Sequence, residues 1–398
     1  MRRSLPLIAA CLVALLLPAA ASAHARLEGT SPPEGAVVKK EPSAVIFEFD
    51  EPVEGNFGAV RVYDASGERV DEGDAFHPDG DGPRLGVHLK PGLPDGSYTA
   101  TYRVVSQDGH IVSSGYVFSI GKEGKAPTQT VGELIGGSGN GKVTEVAYGL
   151  ARGLEYVAMA LAVGGVAFLF VCGLPALGAA SGVGENSRRA AAAAFARRLR
   201  LVLWVAAAIG LVATAAQIVL EGAEAAGISG FSALTRTIIE ETLETRFGTV
   251  WGFAFIAWIA IAVLVPLLGR RRSWVGLPLA VPLVYLCLCP ALGGHGSSQS
   301  PVALNFTVNA IHVAAMAVWL GGLATLLLVL PAATRAAAAP ADRGRLLVGP
   351  LGRFSALALA MVALIMATGL IQAYVYVRHP ADLLSTGYGR AVLAKFLL

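Results

Sequence analysis

The sequence predicts two folds in one chain: a small all-β sandwich, then an all-α polytopic transmembrane helix bundle. Three observations predict this. Of 398 residues, 54% are hydrophobic and only 15% charged, with a mean hydropathy of +0.59, too little polar surface for a soluble protein of this length. The apolarity is uneven: uninterrupted runs beyond residue 148 reach the ~20 helical residues that cross a hydrocarbon core, whereas residues 24–121 alternate in short runs between Gly, Pro and Asp clusters. Charge divides at the same place, with 10 Lys and Arg against 17 Asp and Glu in residues 24–125, and 19 against 11 beyond them. A wholly cytosolic enzyme is excluded. The acidic module would attract cations and repel nucleic acid.

Residues 1–23 read as a secretory signal peptide: Arg2 and Arg3, an apolar run from Leu7 to Leu17, and the small-residue site Ala21-Ser22-Ala23. Cleavage after Ala23 makes His24 the first residue. The alternative is a cut elsewhere, or a retained anchor. Of Cys11, Cys172, Cys287 and Cys289, none lies in the polar module, so no disulfide framework is expected there.

Residues 24–121 form the β-module. Val45, Phe47 and Phe49 share one strand face, and Val60 with Val62, then Leu85, Val87 and Leu89, then Tyr98, Ala100, Tyr102 and Val104 repeat the pattern. A last run covers Ile111 to Ile120. Turns are signalled at Ser31-Pro32-Pro33, Asp64 to Gly67, Pro78 to Pro83 and Pro91 to Gly96. About a hundred residues so spaced suggest a sandwich. Residues 122–147 read as linker, Gly-rich and polar as far as Lys142.

The membrane domain, 148–398, carries six complete expected spans: Tyr148 to Cys172, Leu201 to Leu220, Gly248 to Leu268, Trp274 to Leu292, Val302 to Leu330 and Ser355 to Val377. A seventh begins near Tyr388 and has only about ten apolar residues before Leu398, too few to cross, so it reads as truncated. The loops after odd spans hold Arg188, Arg189, Arg197, Arg198 and Arg200, then Arg270 to Arg272, then Arg335, Arg343, Arg345 and Arg353. Even loops hold only Arg236, Arg246, Arg378 and Arg390. The excess puts the odd loops in the cytoplasm and the β-module on the periplasmic or extracellular side of the plasma (inner) membrane.

The sharpest chemical feature is the triple His24, Asp108 and His110. A mature N-terminal histidine offers an α-amine and an imidazole nitrogen to one metal. In Ser106-Gln107-Asp108-Gly109-His110 an extended chain would put the carboxylate and second imidazole on one side. Two imidazoles, an amine and a carboxylate suit tetragonal Cu(II). The same residues also fit a β-turn at Asp108-Gly109 with a frayed end at His24. His77 and His88 read as exposed loop and strand histidines outside the site. Glu51 and Glu54 are candidates to orient a ligand imidazole.

In the membrane half, Gly294-His295-Gly296 ends the fourth span on the outer side. His312 lies about three turns into the fifth, with Met316 one turn deeper. Ligating groups at membrane depth suggest a copper path, and the alternative is helix-helix hydrogen bonding. Arg152 and Glu155, with Met159 beyond, read as an ion pair or a cation path. Gln217 and Glu221 read as a similar pair. Cys287 and Cys289 point about 200° apart, so one of them at most joins a Cu(I) route. Gly164-Gly165 and Gly321-Gly322 permit close helix packing.

These residues also carry a family resemblance. His24-Ala25, Ser31-Pro32-Pro33-Glu34-Gly35, Phe47-Glu48-Phe49 and Ser106-Gln107-Asp108-Gly109-His110 with Gly115 and Phe118 resemble the CopC family of periplasmic copper-binding proteins. The resemblance implies a cupredoxin-like, Greek-key sandwich and makes His24, Asp108 and His110 the Cu(II) ligands. It departs from members with a methionine-rich Cu(I) site, because the module has no methionine after cleavage. Gly294-His295, Ile311-His312, Trp319-Leu320-Gly321-Gly322-Leu323, Arg353-Phe354-Ser355 and Tyr388-Gly389-Arg390 with Lys395 resemble the CopD copper-resistance membrane domain. The order is that of fused CopC–CopD proteins of the YcnJ type, a family whose membrane domains usually have eight spans.

The expected function is therefore non-enzymatic copper binding and import or homeostasis, with Cu(II) captured outside and passed through the membrane domain, where Cu(I) is the alternative form. Copper ion and lipid bilayer are the expected partners; copper chaperones and self-association stay open. No P-loop supports a primary pump. Two other classes use the same residues: a copper oxidase or monooxygenase at the His24 chelate, and a b-type haem electron carrier with His295 and His312 as axial ligands.

Overall fold

The computed structural model describes residues 25–107, 109, 111–124, 128–136, 142–230, 232–268, 276–294, 301–377, 382–385, 390 and 393. Eight strands build the β-module: β1 Leu27–Ser31, β2 Val37–Val38, β3 Ala44–Phe49, β4 Val53–Glu54, β5 Val60–Tyr63, β6 Arg84–His88, β7 Gly96–Ser106 and β8 Ile111–Ile120. One sheet has the order β1-β3-β6; the other has β2-β8-β7-β4, with β5 also on β7. Each expected alternating run is a strand whose apolar positions are buried, including Val45, Phe47, Leu85, Val87, Tyr98, Tyr102 and Val104. Phe47 of the first sheet meets Tyr102 and Tyr116 of the second edge-on, at ring separations of 5.0 and 5.6 Å. The two inner faces thus form one core. The short strands β2 and β4 gave no alternation to read.

The linker contains α1, Val131–Gly136. The Glu133 carboxylate accepts from the Thr130 N–H at 2.7 Å and the Thr130 hydroxyl from the Glu133 N–H at 3.2 Å, closing a capping box.

The membrane half is helical: α2 Lys142–Phe168, α3 Leu174–Ala179, α4 Glu185–Ala226, α5 Arg236–Glu244, α6 Arg246–Leu264, α7 Gly276–Leu292, α8 Val302–Leu328, α9 Leu330–Arg335, α10 Pro340–Tyr376 and α11 Asp382–Ser385. Among the described residues, five stretches are long and apolar enough to cross a membrane: Val143–Ala179, Glu185–Ala226, Arg246–Leu267, Val302–Arg335 and Pro340–Val375. The fourth expected span appears among the described residues as the shorter apolar helix Pro278–Leu292, with Pro282 and Pro290 inside. The expected seventh segment lies largely outside the described residues.

Two expectations need correction. The second span is the middle of a 42-residue helix, about 63 Å long at 1.5 Å per residue; hydropathy marks the part at lipid depth, while an alanine-rich stretch continues the helix before it. Likewise Arg188, Arg189, Arg197, Arg198 and Arg200 lie on α4, and Arg343, Arg345 and Arg353 on α10, rather than in loops.

α2 packs on α4, α4 on α6, α6 on α7, α7 on α8, and α8 returns to α2, so five helices close a ring. α10 lies outside it, against α8. The α2–α8 contact is made by glycine: a Cβ on Gly164 would come 2.6 Å from the Ala317 carbonyl oxygen, and one on Gly321 would collide with that of Ala160.

Candidate functional site

His24, Asp108, His110 and His295 lie outside the described residues, which resume beside them at Ala25, Gln107, Gly109, Ile111 and Gly294. Ala25 is buried in the sandwich core. The Arg26 N–H donates to Asp50 Oδ1 at 2.7 Å, and the Asp50 N–H returns a bond to the Arg26 carbonyl at 3.0 Å. The chain is thus held from the residue after His24. Between β7 and β8 the described residues Gln107 and Gly109 follow the β-turn alternative rather than the extended run. The Gly109 N–H closes on the Ser106 carbonyl at 2.9 Å, with Gly109 at φ +85°, a conformation that favours glycine. Register brings both flanks to one end of the module: Leu27 faces Phe49, and Val53 faces Ser106, joined by the short connection between β3 and β4.

That end meets the membrane helices. A Cβ built on Gly109 would lie 3.6 Å from the carbonyl oxygen of Gly293, the residue after α7 and two before His295. Around this contact the module docks on three helix ends. Arg103 donates Nε to the Ala225 carbonyl at 3.0 Å and Nη2 to that of Glu224 at 2.6 Å, placing a cation on the negative end of α4. Gly227, at φ +71°, turns the chain there. Glu54 Oε1 accepts from the Arg246 N–H at 2.7 Å, at the positive end of α6. Asn56 Nδ2 donates to the Glu241 carbonyl at 3.1 Å, and the Phe57 N–H to the Glu241 carboxylate at 3.1 Å. Burial pushes the Glu54 carboxyl up, and the Arg246 hydrogen bond only partly offsets it. Glu54 is therefore a docking residue. Sequence reading gave no signal for Arg103 or Asn56, whose partners are remote in the chain.

His312 turns out of the ring toward α10. Its Nδ1 lies 2.8 Å from Thr368 Oγ1. This is the helix-to-helix hydrogen bond that is the alternative reading of His312, and Thr368 Oγ1 also lies 2.6 Å from the Leu364 carbonyl of its own helix. Met316, four residues on, is half-buried like His312.

Inside the ring the expected Arg152–Glu155 pair is absent. Glu155, fully buried, accepts from Thr214 Oγ1 at 2.9 Å and from Trp258 Nε1 at 2.7 Å. Its partners come from α4 and α6 because it faces the interior. Gln217 donates to the Ala213 carbonyl of its own helix rather than pairing with Glu221. Cys287 and Cys289 are buried, and Cys289 donates to the Tyr285 carbonyl at 3.3 Å. In the β-module His77, half-buried rather than exposed, bonds the Arg84 carbonyl at 2.7 Å, while His88 pairs with Asp74 at 2.6 Å and stacks on Phe76. Among the described residues, no three His, Cys, Asp or Glu side chains are gathered into a metal-holding group.

Fold and site together define a membrane protein with a β-module docked on a helical bundle. Family models match in three blocks: the CopC domain over residues 27–121, the N-terminal domain of copper resistance protein D-like proteins over 143–304, and copper resistance protein D over 348–398. Copper transport protein CutJ of Bacillus subtilis (strain 168) is 31% identical over 406 residues, covering 99% of this chain and 69% of that protein. The chain belongs to the CopC–CopD fusion family of copper transport and resistance proteins. Protein YobA of Escherichia coli (strain K12) is 33% identical over 118 residues, covering 30% of this chain and 95% of YobA. Among solved structures, CopC from Methylosinus trichosporium OB3b is 30% identical, with a TM-score of 0.23, covering 27% of this chain and 98% of that one. PcoC, a methionine-rich copper resistance protein from Escherichia coli, is 24% identical, with a TM-score of 0.22, covering 25% and 99%.

Proposed function

We propose that this chain captures Cu(II) outside the plasma membrane and passes it to its own membrane domain for movement toward the cytoplasm. His24, through its α-amine and imidazole, Asp108 and His110 form the capture site. His295, His312 and Met316 receive the ion. One observation carries the reading: Gly109, which lies between Asp108 and His110 in the sequence, meets the membrane helices at Gly293, two residues before His295. The inward direction rests on family membership.

Copper accumulation in cells tests the proposal. At equal expression, a form with one extra residue ahead of His24 and the double variant His295→Ala/His312→Ala should each fall to the level of cells without the protein. Accumulation equal to wild type in the extended form removes the His24 chelate; equal accumulation in the double variant removes the receiving site.

A further inference from the structure

A second site lies at the opposite, arginine-rich end of the bundle. α8 stops at Leu328, and α9 restarts at Leu330 with Pro331 in its first turn. The Ala332 N–H turns to the Val329 carbonyl, and the Leu328 carbonyl is taken instead by Arg198 Nε of α4 at 3.2 Å. Beside this crossing is an open cavity of about 590 Å³ whose rim carries Arg197 and Arg198 of α4 and Arg335 of α9, and whose wall includes Leu201, Leu327 and Leu328. All six residues are exposed. Among the described residues, the nearby carboxylates Glu185 and Asp342 pair with Arg188, Arg189 and Arg345, and no acidic side chain pairs with the three rim arginines. Three permanent cations therefore face one cavity with no acidic partner among the described residues.

The depth is that of a headgroup. The apolar run of α4 begins at Leu201 and that of the α8–α9 stretch ends at Leu330, so the guanidinium groups stand where hydrocarbon gives way to water. Arg200 and Trp204 line an adjoining cavity of about 440 Å³, a pairing typical of the membrane interface. A basic pocket between helices at this depth matches a phosphodiester, and guanidinium groups bind phosphate oxygens by paired N–H donors. The leucine wall distinguishes the sources of that phosphate: a soluble anion would use only the rim, whereas a phospholipid covers the wall with its acyl chain. We infer that Arg197, Arg198 and Arg335 bind the headgroup of an anionic phospholipid whose chain lies along Leu201, Leu327 and Leu328.

Native mass spectrometry of the full chain, released from detergent with phosphatidylglycerol or phosphatidylcholine, tests this. The wild type should retain phosphatidylglycerol over phosphatidylcholine, and Arg197→Gln/Arg198→Gln/Arg335→Gln should weaken its retention about a hundredfold. The variant Arg189→Gln/Arg236→Gln/Arg343→Gln, which removes equal charge elsewhere, should retain it as wild type does. Equal retention by the rim variant, equal loss in the control, or no preference between the lipids overturns the inference. Full displacement by excess inorganic phosphate also overturns it, showing a free-anion pocket. If the triple variant does not fold, as judged by thermal unfolding without lipid, Arg335→Gln is measured in its place, with about a fivefold loss expected and wild-type retention overturning the site.

Discussion

Glu54 illustrates how one side chain can have a task that its sequence position does not signal. Its position on the acidic module suggested a partner for a ligand imidazole, yet its Oε1 accepts a backbone N–H from the first turn of α6, where the helix dipole favours negative charge. Its other oxygen is buried without a hydrogen-bond partner among the described residues, consistent with a carboxyl raised above the ordinary 4.5 by burial. A raised carboxyl makes its stabilising contribution below its ordinary value and loses it as pH rises through the raised one. The thermal midpoint of the full chain should therefore drop over that window. Glu54→Gln, which keeps an acceptor for the Arg246 N–H, should flatten the drop; an unchanged pH profile would remove Glu54 from the docking argument.

At the scale of the element, the α2–α8 crossing sets how close the ring can draw. Gly164 and Gly321 let two backbones touch, so Gly321→Ala should cost about 1–3 kcal/mol through overpacking, visible as a lowered unfolding midpoint in detergent. The same substitution at Gly149, where a Cβ meets nothing within 4 Å, should leave the midpoint nearly unchanged. This crossing was legible because paired glycines in an apolar run have few other uses. The strands of Val45, Leu85 and Tyr98 were legible for a related reason: one-sided burial imposes a period of two. Helix ends were not, because hydropathy reports contact with lipid, and α4 continues past its lipid-facing stretch. Nor were the partners of Glu155, since Thr214 and Trp258 reach it from other helices.

At the scale of the whole molecule, the β-module is seated rather than merely tethered. Arg103 caps two carbonyls 121 and 122 residues further along the chain, and no local sequence pattern signals a contact at that separation. Arg103→Ala should weaken the seat by about 2–3 kcal/mol, the usual worth of hydrogen bonds to a charged group. A spin label on the connection between β5 and β6 and another on α5 should then show a broadened distance distribution, and an unchanged distribution would mean that the other contacts suffice. The candidate ligands were legible as residues, but the meeting of their flanking segments at one end of the sandwich was not, because it depends on the register of strands far apart in the chain.

The closeness of Gly109 to Gly293 also bears on timing. A donor loop already resting against its acceptor works at an effective concentration set by geometry, typically in the millimolar range even for a short flexible tether. On the proposed function, transfer is then a first-order event. A chelator added outside the cell competes with the arrival of copper at His24 and hardly at all with its onward passage.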